Sequence, residues 1–191
     1  MFRQLALLAT AAAVAMAASP AAATTQYDPM TGLPLVVNAS RSMASPVPRE
    51  TVAYDGPYHA GTIVVNTKER RLYFVLGDGK AERYGVGVGR DGFQWGGVHA
   101  VTAKREWPGW TPPPEMLKRQ PELPRYMEGG PKNPLGARAM YIGATLYRIH
   151  GSNEPWTIGQ AVSSGCIRMT NDDVIDLYNR VKVGDEVVVL R

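Results

Sequence analysis

Residues 62–88, TIVVNTKERRLYFVLGDGKAERYGVGV, decide the fold class. Thr62-Ile63-Val64-Val65 is a β-branched run, Asn66-Thr67-Lys68-Glu69 interrupts it, and Arg71 to Leu76 resumes with aliphatic and aromatic residues suited to a pleated surface. Gly77-Asp78-Gly79 reads as a hairpin turn, and Ala81 to Val88 as the returning strand. Gly85, Gly87 and Gly89 alternate with Val86 and Val88. A dinucleotide-binding fingerprint would open a helix at this point, whereas Arg90-Asp91-Gly92 reads as a turn and a further β-like run, Val98 to Lys104, follows. These glycines are therefore expected to leave one strand face bare, so that backbone or substrate approaches closely.

Toward the C-terminus, Trp107 to Pro134 is the least regular stretch, with Trp107-Pro108-Gly109-Trp110-Thr111-Pro112-Pro113-Pro114, a helix-capable piece near Glu115 to Arg119, and Gly129-Gly130-Pro131. Irregular segments this long are usually functional or mobile, so both a lid over a site and a packed surface loop are open readings. Ala139 to Ile142 and Leu146 to His150 are two more β-like runs. Val174, Leu177, Tyr178 and Val181 then recur at helical spacing, with Thr170 or Asn171 as N-cap and Asp172 and Asp173 in the first turn. Gly184 ends this helix and Glu186 to Leu190 forms a final strand. Many strands and one clear helix predict a mainly β domain, residues 58–191.

Toward the N-terminus, residues 24–57 are rich in Ser, Pro, Ala and Asn and show no sustained apolar period, the composition of a linker or loosely held arm. Met1-Phe2-Arg3, an apolar stretch from Leu5 to Ala18, and Ser19-Pro20-Ala21-Ala22-Ala23 together read as a secretory signal peptide, cut after Ala23. The stretch is shorter than the about 20 apolar residues of a membrane span. Thr24 rather than a cysteine stands directly after the cut, so no lipid attachment is expected, and the mature chain is read as exported, to the periplasm or cell wall, with no membrane span. A length of 191 residues fits one domain with a real core. Lys and Arg number 21 against 17 acids, a net charge of +4, which falls to +3 once Arg3 is removed. The basic residues are dispersed rather than gathered in a stripe, which argues against nucleic acid. A mildly basic exported protein is drawn to anionic polymers such as a cell wall, over a range that salt shortens.

Cys166 is the one cysteine in the chain and closes no disulfide within it. Flanked by Ser163-Ser164-Gly165 and Ile167-Arg168, it is not surrounded like a small buried hydrophobe. A thiol attacks as its thiolate, so a catalytic cysteine needs a nearby base or positive field that brings its pKa well below about 8.5. His150 is the natural base: it ends a predicted strand sixteen positions earlier, close enough for one loop to fold back. Gly165 permits a tight turn at the nucleophile, and the Gly165 and Cys166 amides are candidate oxyanion donors. Arg168 is a candidate partner for a substrate carboxylate through its planar fork. A zinc site would need three or four ligands at recurring spacings, which one Cys and three scattered His do not supply, so neither metal nor cofactor is implied.

His150-Gly151, then Ser163-Ser164-Gly165-Cys166-Ile167-Arg168-Met169 and Asn171-Asp172, resemble the L,D-transpeptidase catalytic domain, also called the YkuD domain. The resemblance covers roughly residues 58–191 and includes Asn133-Pro134-Leu135-Gly136 and Val183-Gly184-Asp185. It implies a β-sandwich-like fold and a ping-pong acyl transfer in bacterial cell-wall peptidoglycan. By that resemblance Cys166 would attack the amide between a diamino acid and the terminal D-alanine of a tetrapeptide stem. D-alanine leaves, and the thioester passes to an amine of another stem, giving a 3-3 crosslink, or to an amine of an envelope protein. It also implies His150 as base and the Gly151 carbonyl as the group orienting its ring. The usual motif has a second histidine directly before Gly-Cys, where this chain has Ser164. The departure bears on rate and acceptor preference more than on reaction type.

Ser164 and Trp156, the latter in the loop joining base to nucleophile, are candidate substrate contacts, with Trp107, Trp110 and Tyr141 as possible groove or core residues. His59 and His99 fall outside the motif and are read as surface or satisfied core residues, His99 within a β-like run. A sortase-like transpeptidase also runs His, Cys, Arg, but with His and Cys much farther apart and the cysteine following a Thr-Leu-x-Thr pattern, neither of which is present here, and a papain-like hydrolase places Cys before His. From a different class, a non-catalytic peptidoglycan-binding module stays open because the second histidine is missing.

Overall fold

The computed structural model describes residues 26–27, 34–35 and 44–191. The signal-peptide reading of residues 1–23 lies outside the described residues. Thirteen strands run in chain order among the described residues. The first six are β1 (Gln26–Tyr27), β2 (Pro34–Leu35), β3 (Glu50–Ala53), β4 (Ile63–Asn66), β5 (Arg71–Gly77) and β6 (Lys80–Gly85). After them come β7 (Val88–Gly89), β8 (Gly97–Glu106), β9 (Arg138–Ile142), β10 (Arg148–His150), β11 (Ala161–Ser163), β12 (Ile167–Arg168) and β13 (Glu186–Leu190). Helix α1 (Pro114–Arg119) lies in the irregular segment and α2 (Asn171–Arg180) near the C-terminus.

Nine strands form one sheet in the order β12-β10-β9-β8-β13-β4-β5-β6-β3, while β1 pairs with β2 and β7 with β11. Alternation along the central strands sends residues to two faces. Ile63 and Val65, Leu72 and Phe74, and Val187 and Val189 enter the main core with Met140, Ile149, Ile167 and the α2 residues Val174 and Leu177. Their neighbours Val64, Val75 and Val188 pack on the other face with Tyr54, Tyr58 and Tyr73. The mainly β expectation therefore holds, and the β5–β6 hairpin turns at Gly77-Asp78-Gly79 as read.

Helix α2 starts at Thr170, whose side chain accepts from the Asp173 N–H at 3.2 Å, with Asp172 and Asp173 in the first turn. That cap fixes where the chain leaves β12. Asn171, the next residue, accepts from the Ala137 N–H at 2.9 Å, tying the Asn133–Gly136 segment to the end of the motif.

One expectation changes. The arm reading of residues 24–57 is corrected at its C-terminal end, because Glu50–Ala53 zips antiparallel onto β6, Glu50 opposite Arg83 and Val52 opposite Ala81. Four residues without an apolar period carry no strand signal of their own; the unpaired edge of β6 supplies the partner. Ahead of it, Arg49 reaches Glu82, Asp173 and Asp176. Trp107–Pro134 is a packed loop with its own small core of Trp110, Met116 and Leu135, against which Leu123 and Met127 rest. It reaches the turn after β7 through Arg119, whose guanidinium lies 5.9 Å from the Phe93 ring.

Candidate active site

Strands β10 and β12 lie side by side and parallel, with Ile149 opposite Ile167 and His150 opposite Arg168. Cys166 immediately precedes β12 and, by the two-residue period, shares the face of Arg168 and lies opposite Arg148. Base and nucleophile are thus diagonal neighbours across one strand gap.

His150 is fully buried, and its Nδ1 lies 2.5 Å from the Gly151 carbonyl oxygen. A carbonyl only accepts, so Nδ1 holds the proton and Nε2 the lone pair. The ring is thereby fixed in the tautomer of a base.

The turn before the nucleophile is tightly determined. Gly165 has φ +109°, and a Cβ there would sit 2.3 Å from the Tyr147 ring, so only glycine fits. Ser163 Oγ donates to the Cys166 carbonyl at 2.6 Å and accepts the Gly165 N–H at 3.1 Å. The oxyanion role expected of Gly165 is corrected accordingly: its amide is spent inside the turn. The bare-face reading of the alternating glycines matches what is seen at Gly87, which bridges Arg168 by N–H to carbonyl bonds of 2.9 Å in both directions. A Cβ on Gly87 would press on the Arg168 Cβ at 3.3 Å and the Thr157 carbonyl at 3.2 Å.

Cys166 is 6% exposed, with its thiol toward the Leu146 carbonyl at 3.9 Å. Burial pushes the thiol up, and the Arg148 charge, the Arg148 backbone N–H and the Arg168 charge work against that rise. The expectation of a depressed thiol is reversed for the protein without substrate, and so is the view that this cysteine is not buried.

Arg168 is corrected as a substrate ligand. Its side chain is 1% exposed, and Nη1 lies 3.3 Å from Glu154 Oε2, itself 2% exposed. Glu154 sits in the His–Cys loop, so this buried pair braces base and nucleophile rather than facing a ligand. Ser164 is half-buried and accepts from Arg90 Nη1 at 3.1 Å. Trp156 is half-buried in a single 3-10 turn over Pro155–Thr157, its carbonyl accepting from the Gln160 side chain at 3.1 Å.

Sequence reasoning missed Trp95, Tyr147, Arg90 and Arg148. Trp95 Nε1 donates to the Gly165 carbonyl at 2.6 Å, and its ring stacks on Tyr147 with centroids 4.4 Å apart. His99 meets Trp95 edge-on at 5.4 Å, whereas His59 is exposed at the surface. Arg148 was findable, since it stands two residues before the base on the same strand face; Trp95 carries no such signal. A cavity of about 340 Å³ lined by Tyr54, Asp55, Glu69 and Tyr73 opens on the other face of the sheet, away from Cys166, and plays no part in this constellation. Among the described residues, no group of three or more His, Cys, Asp or Glu converges.

Comparison with known proteins bears on the family and the fold. The sequence profile of the L,D-transpeptidase catalytic domain (YkuD) matches residues 60–189. The chain is 43% identical over 137 residues to the Escherichia coli protein named "Probable L,D-transpeptidase ErfK/SrfK", covering 67% of this chain and 43% of that one. It is 36% identical over 150 residues to E. coli "Probable L,D-transpeptidase YbiS", covering 74% and 47%. It thus spans less than half the length of these relatives. A Brucella melitensis crystal structure titled as a "Probable carnitine operon oxidoreductase" is 47% identical, with TM-score 0.52, over 77% of this chain and 96% of that one. L,D-transpeptidase 3 from Mycobacterium tuberculosis shares the fold at 18% identity and TM-score 0.55, over 69% and 61%. By profile, sequence relatives and sheet architecture alike, the chain belongs to the L,D-transpeptidase catalytic-domain family.

Proposed function

We propose that this protein is a peptidoglycan L,D-transpeptidase working by cysteine acyl transfer. The observation that carries the reading is His150 locked by Gly151 into the Nε2-basic tautomer, on the strand next to Cys166 and on its face. Because burial favours the neutral thiol, the imidazole acts as general base during attack rather than holding a preformed thiolate. The proton passes from sulfur to Nε2 as sulfur bonds to the carbonyl carbon of the diamino acid–D-alanine amide. The Cys166 N–H is the donor for the developing oxyanion, since Gly165 is engaged with Ser163. The C–N bond then breaks, D-alanine leaves with the proton returned by His150, and a thioester remains. An acceptor amine attacks it, gives up a proton to His150, and the thiol reforms.

The acceptor is an amine of a second stem or of an envelope protein. Ser164 and Arg90 together form a polar, cationic rim beside the nucleophile, suited to the carboxylates of peptide stems, and Trp156 is a candidate wall of the groove. The function places the mature chain outside the cytoplasm, in the periplasm or wall, after loss of residues 1–23. Among the described residues no helix is long and apolar enough to cross a membrane.

The test is release of D-alanine from tetrapeptide stems by the purified mature protein, with mass spectrometry of the products. Cys166→Ala should abolish release while retaining wall binding, and His150→Ala should lower it by about 10²–10⁴-fold. Release that survives Cys166→Ala would remove the mechanism. A second reading, a non-catalytic peptidoglycan-binding module, draws on the buried, neutral thiol; the wild-type protein binding stems without ever releasing D-alanine would establish it.

A further inference from the structure

We infer that Arg148 is a further catalytic residue, its guanidinium lying against the Cys166 sulfur and providing the positive charge on which the thiolate forms. The inference deepens the acyl-transfer reading above and rests on it for the reaction, but not for the contact itself.

Three features of the geometry carry it. First, the β10–β12 register pairs Ile149 with Ile167 and His150 with Arg168, and continued one residue back it brings Arg148 level with Cys166, which immediately precedes β12. Second, sulfur and guanidinium converge on one acceptor: the Leu146 carbonyl lies 3.9 Å from Sγ and 3.3 Å from Arg148 Nη1. Third, the guanidinium is held in place but not neutralised. It lies 5.1 Å from the centroid of the Tyr141 ring on the neighbouring strand β9, and among the described residues its buried Nε has no hydrogen-bond partner and no carboxylate pairs with it. Arg168, the other cation on the nucleophile's strand, has Glu154 against it, so much of its field is cancelled.

The remaining charged or titratable groups around the sulfur are His150 on β10, the Arg168–Glu154 pair on β12 and its loop, Arg90 on the turn after β7, and the phenols of Tyr141 and Tyr147. Of these, Arg148 is the cation whose guanidinium shares the Leu146 carbonyl with the sulfur. Its backbone N–H and its side chain both favour the ionised sulfur, against the effect of burial. When the thiol proton moves to His150, the charge left on sulfur forms beside a guanidinium that has no other anion to serve. This also gives a physical account of how the site works with Ser164 where the motif has a second histidine: the cationic surroundings come from the base strand instead.

The experiment is the pH dependence of iodoacetamide alkylation of Cys166 in wild type, Arg148→Ala, Arg148→Gln and Arg148→Lys, with D-alanine release from tetrapeptide measured alongside. Arg148→Ala should move the alkylation inflection up by about one pH unit, tenfold less thiolate at a fixed pH below it. Arg148→Lys should restore most of the shift, and added guanidinium ion at non-denaturing concentration should partly rescue Arg148→Ala. In the transfer assay the loss should fall on kcat with KM nearly constant. If Arg148→Ala does not fold, Arg148→Gln, close in length and able to keep the Leu146 bond, should show the same upward shift. An unchanged inflection in the folded variants, or a loss confined to KM, overturns the proposal, the latter making Arg148 a substrate ligand. An altered inflection with no D-alanine release even in wild type would keep the Arg148–Cys166 contact and discard the transpeptidase reading.

Discussion

At the residue scale, the site is governed by how burial and pairing assign charge. Cys166 is held neutral by its surroundings, so alkylation at pH 7 should be slow without substrate and should accelerate only above the ordinary thiol range of about 8.5. The linked stability has a definite sign. A thiol harder to ionise when folded lets the unfolded chain ionise first, so the stability contributed is complete below about pH 8.5 and is lost as pH rises toward the folded value. Chemical denaturation of wild type and Cys166→Ala between pH 7 and 10 should show the wild type losing more. Arg168 and Glu154 are the other decisive pair. Glu154→Ala leaves a guanidinium that is 1% exposed without its carboxylate, and urea melts should show a loss of about 3–5 kcal/mol. A candidate ligand role was legible in the sequence from Arg168 lying two residues past Cys166; its burial against Glu154 was not. A partner fourteen residues away in an irregular loop is set by the fold, and no spacing rule announces it.

At the element scale, the nucleophile turn is built by three segments that meet: the β11–β12 turn, the Tyr147 end of β10, and the Trp95 turn between β7 and β8. The stacked Trp95 and Tyr147 rings cover Gly165 next to the thiol. Trp95→Ala should therefore raise the alkylation rate of Cys166 severalfold while loosening the turn, so D-alanine release should fall in the same variant. Slower alkylation would show that Trp95 does not cover the thiol. Helix α2 and its Thr170 cap were readable because capping and helical periodicity are local signals. The β5–β6 hairpin was readable for the same reason. The two-residue strands β7 and β12 and the parallel pairing of β7 with β11 were not, because short strands depend on neighbours distant in the chain. The Trp107–Pro134 segment shows the same limit: its prolines and glycines announce irregularity, while its small core around Trp110 is a tertiary fact.

At the scale of the whole molecule, the family profile begins at residue 60, yet the fold begins earlier. Strand β3 completes the sheet at β6, the Val47 side chain occupies the space where a Cβ on Gly85 or Gly159 would project, and Arg49 joins two acids on α2 to Glu82. The ion pairs are partly exposed and contribute little, about 0–1 kcal/mol each; the pairing and packing matter more. A variant starting at residue 58 should melt lower than one starting at residue 44, as read by circular dichroism. Ile158 and Gly159 belong to the loop between base and nucleophile, so the shorter variant should also turn over more slowly. The deeper consequence concerns what β6 becomes when β3 is gone: a row of unsatisfied amides and carbonyls open to any passing extended peptide, including another copy of itself. Trimming this protein to its recognisable homology should therefore add self-association through that uncapped rail, read as a rise in apparent mass by light scattering relative to the longer variant.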